Sequence, residues 1–443
     1  MTSSSRPVPR LALFPKDTVI NAAGHLTIGG CDTFDLAREF GTPLYVYDEE
    51  SLRHQCREFK QRFGSRYPDT SVCYASKAFL NKAMARLVME EGLGLDVVSM
   101  GEFAIAHSIG FPSEKVYFHG NNKGPDELAQ ALDWGIGRVV VDSMYELELL
   151  NTLAKERGIQ QDILLRLTPN VDPHTHEFTT TGVLDSKFGI PLSTGQAEEA
   201  LVQAMKLPSL NLLGLHFHLG SPIPETEPYE AALQIVLEFA KAMKQKYDFD
   251  MVELSVGGGF PTPYTMEDRF APIAVYADAI ISKMTNVLMK LSLLPPRLTI
   301  EPGRAIANQA GVALYTVGAL KDIPGVRKFA CVDGGMSDNI RPPLYGAKYE
   351  ALVANKAQEP DVHTVTIAGK LCESGDILIR DIQLPRVTSG DVIAVPACGA
   401  YSVPMASNYN AIPRPAIVFV NHGNARVVRR RETYEDLYGL DSV

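Results

Sequence analysis

Between residues 72 and 301 the chain repeats one pattern eight times: a short apolar run, a turn, and in most cases an amphipathic stretch. The apolar runs span 72–75, 95–98, 116–119, 138–141, 163–167, 212–218, 252–256 and 298–300. Continuous rather than alternating apolar character is the mark of parallel strands covered on both faces. Helix-period patterns at 82–91, 102–107, 126–132, 145–157, 197–205, 229–246 and 274–293 separate most of them. Strand–helix units in this number and order predict an α/β fold built on a closed, TIM-like (β/α)8 barrel.

The polar residues of this region are not scattered. Lys77, Asp96, His119, Asp142, Arg166, His218, Gly257 and Glu301 stand at or just past the carboxyl ends of successive runs. In barrels of this kind that end carries the active site. Lys77 follows a β-branched and aromatic run and precedes Ala78 and Phe79, which predicts a poorly solvated ammonium. The neutral amine is the form that condenses with an aldehyde. Most lysines are solvated surface charges, so Lys77 decides nothing by itself.

Two further loops bear on it. Gly257-Gly258-Gly259 follows the seventh run, where backbone N–H groups can crowd around a phosphate or simply make a tight turn. Glu301-Pro302-Gly303-Arg304 follows the eighth, and barrels often complete a phosphate site with these two loops. His216 and His218 share one strand face, which is also a metal-ligand arrangement. No convincing third histidine accompanies them, so no metal is expected. His218 reads instead as a ring stacked on a planar cofactor, Ser221 as a phosphate contact and His216 as structural. His174 and His176 lie in a polar loop and read as solvated or loop-fixing rather than metal-binding. An amine, an acid and a phosphate cradle together suggest pyridoxal phosphate, whose aldehyde, pyridine nitrogen and phosphate need those three partners. Asp96 either supports the lysine or caps the turn before Ser99.

Beyond about residue 305 the texture becomes β-rich, with runs at 312–317, 326–332, 362–367, 392–395 and 416–420 between Gly, Pro, Asp and Asn turns. The first 45 or so residues are also strand and turn in character. The expected organisation is an N-terminal segment, 1–46, joining a C-terminal all-β domain, 309–443, with the barrel, 47–308, inserted between them. At 443 residues and 45% hydrophobic content two such domains are well supplied with core. The net charge of -10 argues against nucleic-acid or anionic-membrane partners. Arg429, Arg430 and Arg431 are followed at once by Glu432 and read as a solvated face. The six scattered cysteines suit a reducing cytoplasm, and residues 1–10, rich in Ser and Pro, are expected to fray. No apolar stretch reaches membrane-spanning length.

Several segments match a known pattern: Tyr74-Ala75-Ser76-Lys77-Ala78, the stretch from His216 to Ser221, Gly257-Gly258-Gly259-Phe260, and Glu301-Pro302-Gly303-Arg304. They continue with Arg341-Pro342-Pro343-Leu344-Tyr345, Cys372-Glu373-Ser374-Gly375-Asp376 and Ser407-Asn408-Tyr409-Asn410. On these, the chain resembles the fold-type III pyridoxal-phosphate decarboxylases over nearly its whole length. Glu373 and the segment from Arg341 to Tyr345 look like the branch acting on diaminopimelate. The resemblance implies cofactor contacts from Lys77, Asp96, His218, Ser221, Gly257, Gly258, Gly259, Glu301, Gly303, Arg304 and Tyr401. It implies substrate contacts from Arg304, Arg341, Tyr345, Glu373 and Tyr401, with Lys77 and Cys372 catalytic and Cys372 the proton donor. It also implies a homodimer with shared active sites.

The side-chain chemistry agrees with that branch: Arg304 and Arg341 suit bidentate carboxylate binding, and Glu373 can hold an ammonium. A decarboxylase of another D-configured or carrier-linked amino acid is the nearest rival, and a non-enzymatic cofactor-binding barrel a more distant one. The first is motivated by Pro222, which stands where the family usually has Gln.

Overall fold

The computed structural model describes residues 8–172 and 180–443, so the readings of residues 1–7 and of His174 and His176 lie outside it. The described chain forms two compact units. One comprises the described residues of 55–261 and 270–305, the other those of 8–54, 262–269 and 306–443.

The first unit is a closed barrel of eight parallel strands. These are β1 (Thr70–Ala75), β2 (Gly94–Val97), β3 (Val116–Phe118), β4 (Arg138–Val141), β5 (Gln161–Thr168), β6 (Leu210–His216), β7 (Glu253–Ser255) and β8 (Arg297–Ile300). Pairing of β8 with β1, Ile300 opposite Val72, closes the ring. Each strand falls on one of the apolar runs, because each is buried on its outer face by helices and on its inner face by its neighbours across the barrel.

Helix caps then fix the strand ends. Ser99 Oγ accepts from Glu102 N, and the Glu102 carboxylate reaches back to accept from Val98 N at 2.7 Å. Ser143 and Glu146 repeat the arrangement, with Glu146 accepting from Asp142 N at 3.0 Å. Such reciprocal caps satisfy helix N-terminal donors and leave little freedom to the residue before the helix.

The second unit is a mixed β-sheet. Its strands run in the order Ile377–Leu384, His363–Ala368, Arg327–Val332, Gly311–Ile323, Leu44–Asp48, Ala416–Asn421 and Asn424–Arg429. Leu44–Asp48, from the N-terminal segment, lies between two C-terminal strands, antiparallel to one and parallel to the other. Val392–Val395 pairs off this path with Gly311–Ile323 and Leu352–Val353. Val19–Ile20, Leu26–Ile28 and Cys31–Asp32 make a small separate sheet whose leucine and isoleucines pack into the same core as Leu44, Val46, Val312 and Val418.

Three local expectations are corrected. Pro9–Leu13 is a short 3-10 helix, and Arg10 pairs with Glu350 at 2.8 Å and Asp361 at 2.9 Å, so residues 8–10 are tied down. Arg431 is half-buried and donates to Pro43 O at 2.8 Å, whereas Arg430 pairs with Asp436. Strands Ile377–Leu384 and Asn424–Arg429 carry too many polar residues to read as apolar runs, because both lie at sheet edges. All six cysteines are free. Among the described residues no helix is long and apolar enough to cross a membrane.

Candidate active site

Polar groups gather at the carboxyl end of the barrel around Glu301, the residue after β8 and 5% exposed. Its Oε1 accepts from Ser255 Oγ at 2.7 Å and its Oε2 lies 3.2 Å from His216 Nε2. His119, following β3, places Nε2 3.6 Å from Glu301 Oε1 and 3.7 Å from Asp96 Oδ1. The two imidazoles meet edge to face at 5.0 Å. Burial alone would raise the Glu301 pKa. The neighbouring His216 and His119, with the His216 and Ser255 hydrogen bonds, outweigh it and hold the carboxyl well below its usual range. Asp96 shifts the other way: burial, then the Glu301 charge, pushes it well above the carboxylate range against the pull of Lys77. His119 is driven well below the usual imidazole range, first by burial.

The histidine reading is therefore corrected. His119 is the third member of a group, with His216 and Glu301, whose potential ligand atoms lie within 4.8 Å of one another. The hydrogen bond within the group runs between His216, read as structural, and Glu301, so His216 orients that carboxylate. Five buried polar atoms at this end have no hydrogen-bond partner among the described residues: Ser76 Oγ, Asp96 Oδ1, His119 Nε2, Asp142 Oδ2 and His216 Nδ1. Such a concentration marks a place built for a polar ligand.

The glycine triplet works through close approach. A Cβ on Gly258 would stand 2.1 Å from Glu301 O, and one on Gly257 2.8 Å from His218 Nδ1, with Gly257 at φ +71. Gly258 N donates to His218 Nδ1 at 3.3 Å, so a neutral His218 carries its proton on Nε2. Burial, followed by the Lys77 and Arg166 charges, keeps that imidazole well below its usual range. Gly257 N donates to Ser255 Oγ at 3.3 Å. Two of the three glycine N–H groups expected to serve a phosphate are thus engaged in holding His218 and Ser255.

Arg304 is buried beside Ser221, its Nε donating to Ser221 Oγ at 3.2 Å. Gly303 packs against Ala75, where a Cβ would meet Ala75 Cβ at 3.0 Å. The loop after Ser221 is anchored despite Pro222: Ile223 N donates to Gly259 O at 2.8 Å, and Tyr276 Oη donates to Pro224 O at 2.6 Å.

Lys77 differs from expectation. It leaves β1 in a single 3-10 turn, with Ser76, Ala78 and Phe79 buried and the lysine itself exposed. Its apolar neighbours are buried, and the lysine alone of this turn reaches solvent. Its charge still acts on Asp96, Glu102, His119 and His218. Asp142 accepts from Gly189 N at 2.8 Å and faces Arg166 at 3.7 Å, and the Arg166 guanidinium lies 4.6 Å from the Phe188 ring.

The other predicted site residues belong to the β unit. Arg341 is buried on the short helix Arg341–Tyr345, its Nε donating to Tyr349 Oη at 2.9 Å. Tyr264 and Tyr345 lie 4.9 and 5.6 Å from the guanidinium, and Tyr401 is near enough to act on its charge. Cys372 and Glu373 are exposed on a loop organised by Asp376, which accepts from Leu371 N at 2.8 Å and Met336 N at 2.7 Å. Asn410 Oδ1 accepts from Cys372 N at 2.8 Å. Sequence reasoning missed Ser255, Tyr264 and Tyr349 and gave Asp376 no role. Asp376 was legible as the last residue of its motif, whereas the tyrosines gave no pattern.

Residues 49–308 match the family model described as pyridoxal-dependent decarboxylase, pyridoxal binding domain. Diaminopimelate decarboxylase of Bacillus subtilis is 49% identical over 421 residues, covering 95% of this chain and 96% of its own. The chain belongs to the pyridoxal-phosphate-dependent decarboxylases of fold type III. Among solved structures of this family, diaminopimelate decarboxylase of M. jannaschii in complex with L-lysine superposes with a TM-score of 0.91 at 36% identity, covering 97% of this chain and 98% of that one. That of Helicobacter pylori with L-lysine gives 0.85 at 32%, covering 92% and 99%. The barrel residues fit the decarboxylase cofactor. A carboxylate held below its usual range suits a pyridinium, a partly buried imidazole suits the ring face, and a buried guanidinium beside a hydroxyl suits a phosphate.

Proposed function

We propose that the chain converts meso-2,6-diaminopimelate to L-lysine and carbon dioxide with pyridoxal phosphate as cofactor. The near full-length match to diaminopimelate decarboxylases carries this reading. Bound at the barrel mouth, pyridoxal phosphate supplies the sink for the electron pair left when carbon dioxide departs.

The chain's residues do the rest. Lys77 supplies the amine that anchors the aldehyde. Glu301, fixed by Ser255 and His216, keeps a proton at the pyridine nitrogen. His218 covers the ring face, with Asp96 near the lysine. Arg304, Gly303, Ser221 and Gly259 hold the phosphate end, with Gly257 and Gly258 shaping the turn around it and Tyr401 completing the cofactor contacts. Arg341, Tyr345, Tyr401 and Glu373, with Arg304, receive the distal carboxylate and ammonium, a set that disfavours diamino monocarboxylates such as ornithine. Cys372 returns a proton to the carbon that has lost its carboxylate.

Cys372 and Glu373 are exposed on the β unit and so are available to a second subunit. In this reading the protein is a cytoplasmic homodimer in which each β unit lends that loop to its partner's barrel. A two-fold interface supplies every such contact twice. Carbon dioxide release from a panel of meso-diaminopimelate, ornithine, arginine and lysine tests the substrate. Release from diaminopimelate alone is expected, and release from ornithine or arginine with none from diaminopimelate would overturn the assignment.

A further inference from the structure

Arg341 is 8% exposed, and among the described residues no carboxylate pairs with it. A buried guanidinium without an acid is costly unless a ligand supplies the anion. Its surroundings are aromatic instead. Tyr349, 4% exposed, accepts from Nε at 2.9 Å, and Tyr264 stacks 4.9 Å from the guanidinium carbon. The Tyr264 and Tyr349 rings stand at 87° with centroids 5.5 Å apart, so each holds the other in place.

An arginine can receive a carboxylate on its Nε–Nη edge or on its Nη–Nη edge. With Nε given to Tyr349, the second edge remains. We propose that Tyr349 is a positioning residue: its hydroxyl occupies Nε of Arg341 so that the paired Nη atoms meet the substrate's distal carboxylate, and it thereby sets the preference for substrates that carry one. The inference rests on the reading of Arg341 as the carboxylate-binding group. Tyr264 blocks rotation of the guanidinium out of that plane.

The test is Tyr349→Phe in the holoenzyme, which removes the hydroxyl and keeps the ring. KM for meso-diaminopimelate should rise roughly tenfold to a hundredfold, as for a lost hydrogen bond to a charged group, while kcat stays within about twofold. Inhibition by L-lysine, which retains the distal carboxylate, should weaken by the same factor, and inhibition by 1,5-diaminopentane, which lacks it, should not change. General loosening of the unit would instead move kcat and both inhibitors together, and that result overturns the proposal. In an Arg341→Lys background, adding Tyr349→Phe should do little; an undiminished effect there also overturns it. Arg341→Lys with wild-type KM would refute the underlying reading of Arg341, a different failure from a Tyr349→Phe variant that behaves as wild type. Should Tyr349→Phe not fold, Tyr264→Leu must give the same split between KM and kcat, and its absence overturns the proposal.

Discussion

A buried carboxylate is expensive unless charge and hydrogen bonds answer it. Both oxygens of Glu301 are answered, one by Ser255 and one by His216. Glu301→Gln keeps the shape but cannot hold a proton on a pyridine nitrogen by charge. The folded variant should bind pyridoxal phosphate, with kcat lowered by roughly 10²–10⁴. Retention of wild-type kcat would remove Glu301 from the proposed chemistry. At this scale the sequence was partly legible. Glu301 stood out by its place after the eighth strand and its Pro-Gly-Arg neighbours. His216 did not reveal its partner, because the hydrogen bond spans 85 positions. Lys77 stood out by its place after the first strand, but its exposure did not, since the direction of a side chain in a one-turn helix is set by the turn and not by the apolarity of its neighbours.

Elements buried on both faces announce themselves, and elements at edges do not. All eight barrel strands lie on apolar runs, while the polar edge strands Ile377–Leu384 and Asn424–Arg429 carry no such signature. The strands of the β unit also converge on a buried acid that no pattern foretold. Leu44–Asp48 and Gly311–Ile323 bring Tyr45 and Tyr315 to Asp338, whose Oδ1 accepts from their hydroxyls at 3.0 and 2.5 Å. Burial outweighs these bonds and pushes Asp338 from 3.8 up to about 6. A raised pKa in the fold means that Asp338 favours folding below its unfolded value, and that this contribution is lost as pH rises through about 6. Against Asp338→Asn, which does not titrate, the wild-type protein should lose on the order of 3 kcal/mol of relative stability between about pH 4 and 7. Denaturation curves at each pH check this, and a constant difference between the two proteins would contradict it.

The proposed site residues come from two compact units, which makes assembly part of the account. Lys77, His218 and Glu301 belong to the barrel unit, and Arg341, Cys372 and Glu373 to the β unit. If subunits share sites, mixing inactive Lys77→Ala with inactive Cys372→Ala under subunit exchange yields heterodimers with one intact site. Activity should then recover to about half of the wild-type value per heterodimer. A mixture that stays inactive, with exchange verified by mass, would rule out sharing. The two-unit architecture was legible from the change in texture near residue 305; the expectation of shared sites rests on resemblance alone, because one chain's pattern carries no record of its partner. The most direct measurement of the central claim is the product itself. Holoenzyme incubated with meso-diaminopimelate should release carbon dioxide and lysine in equal amounts, with all of the lysine in the L form by chiral chromatography. D-lysine, or carbon dioxide without lysine, would contradict the account.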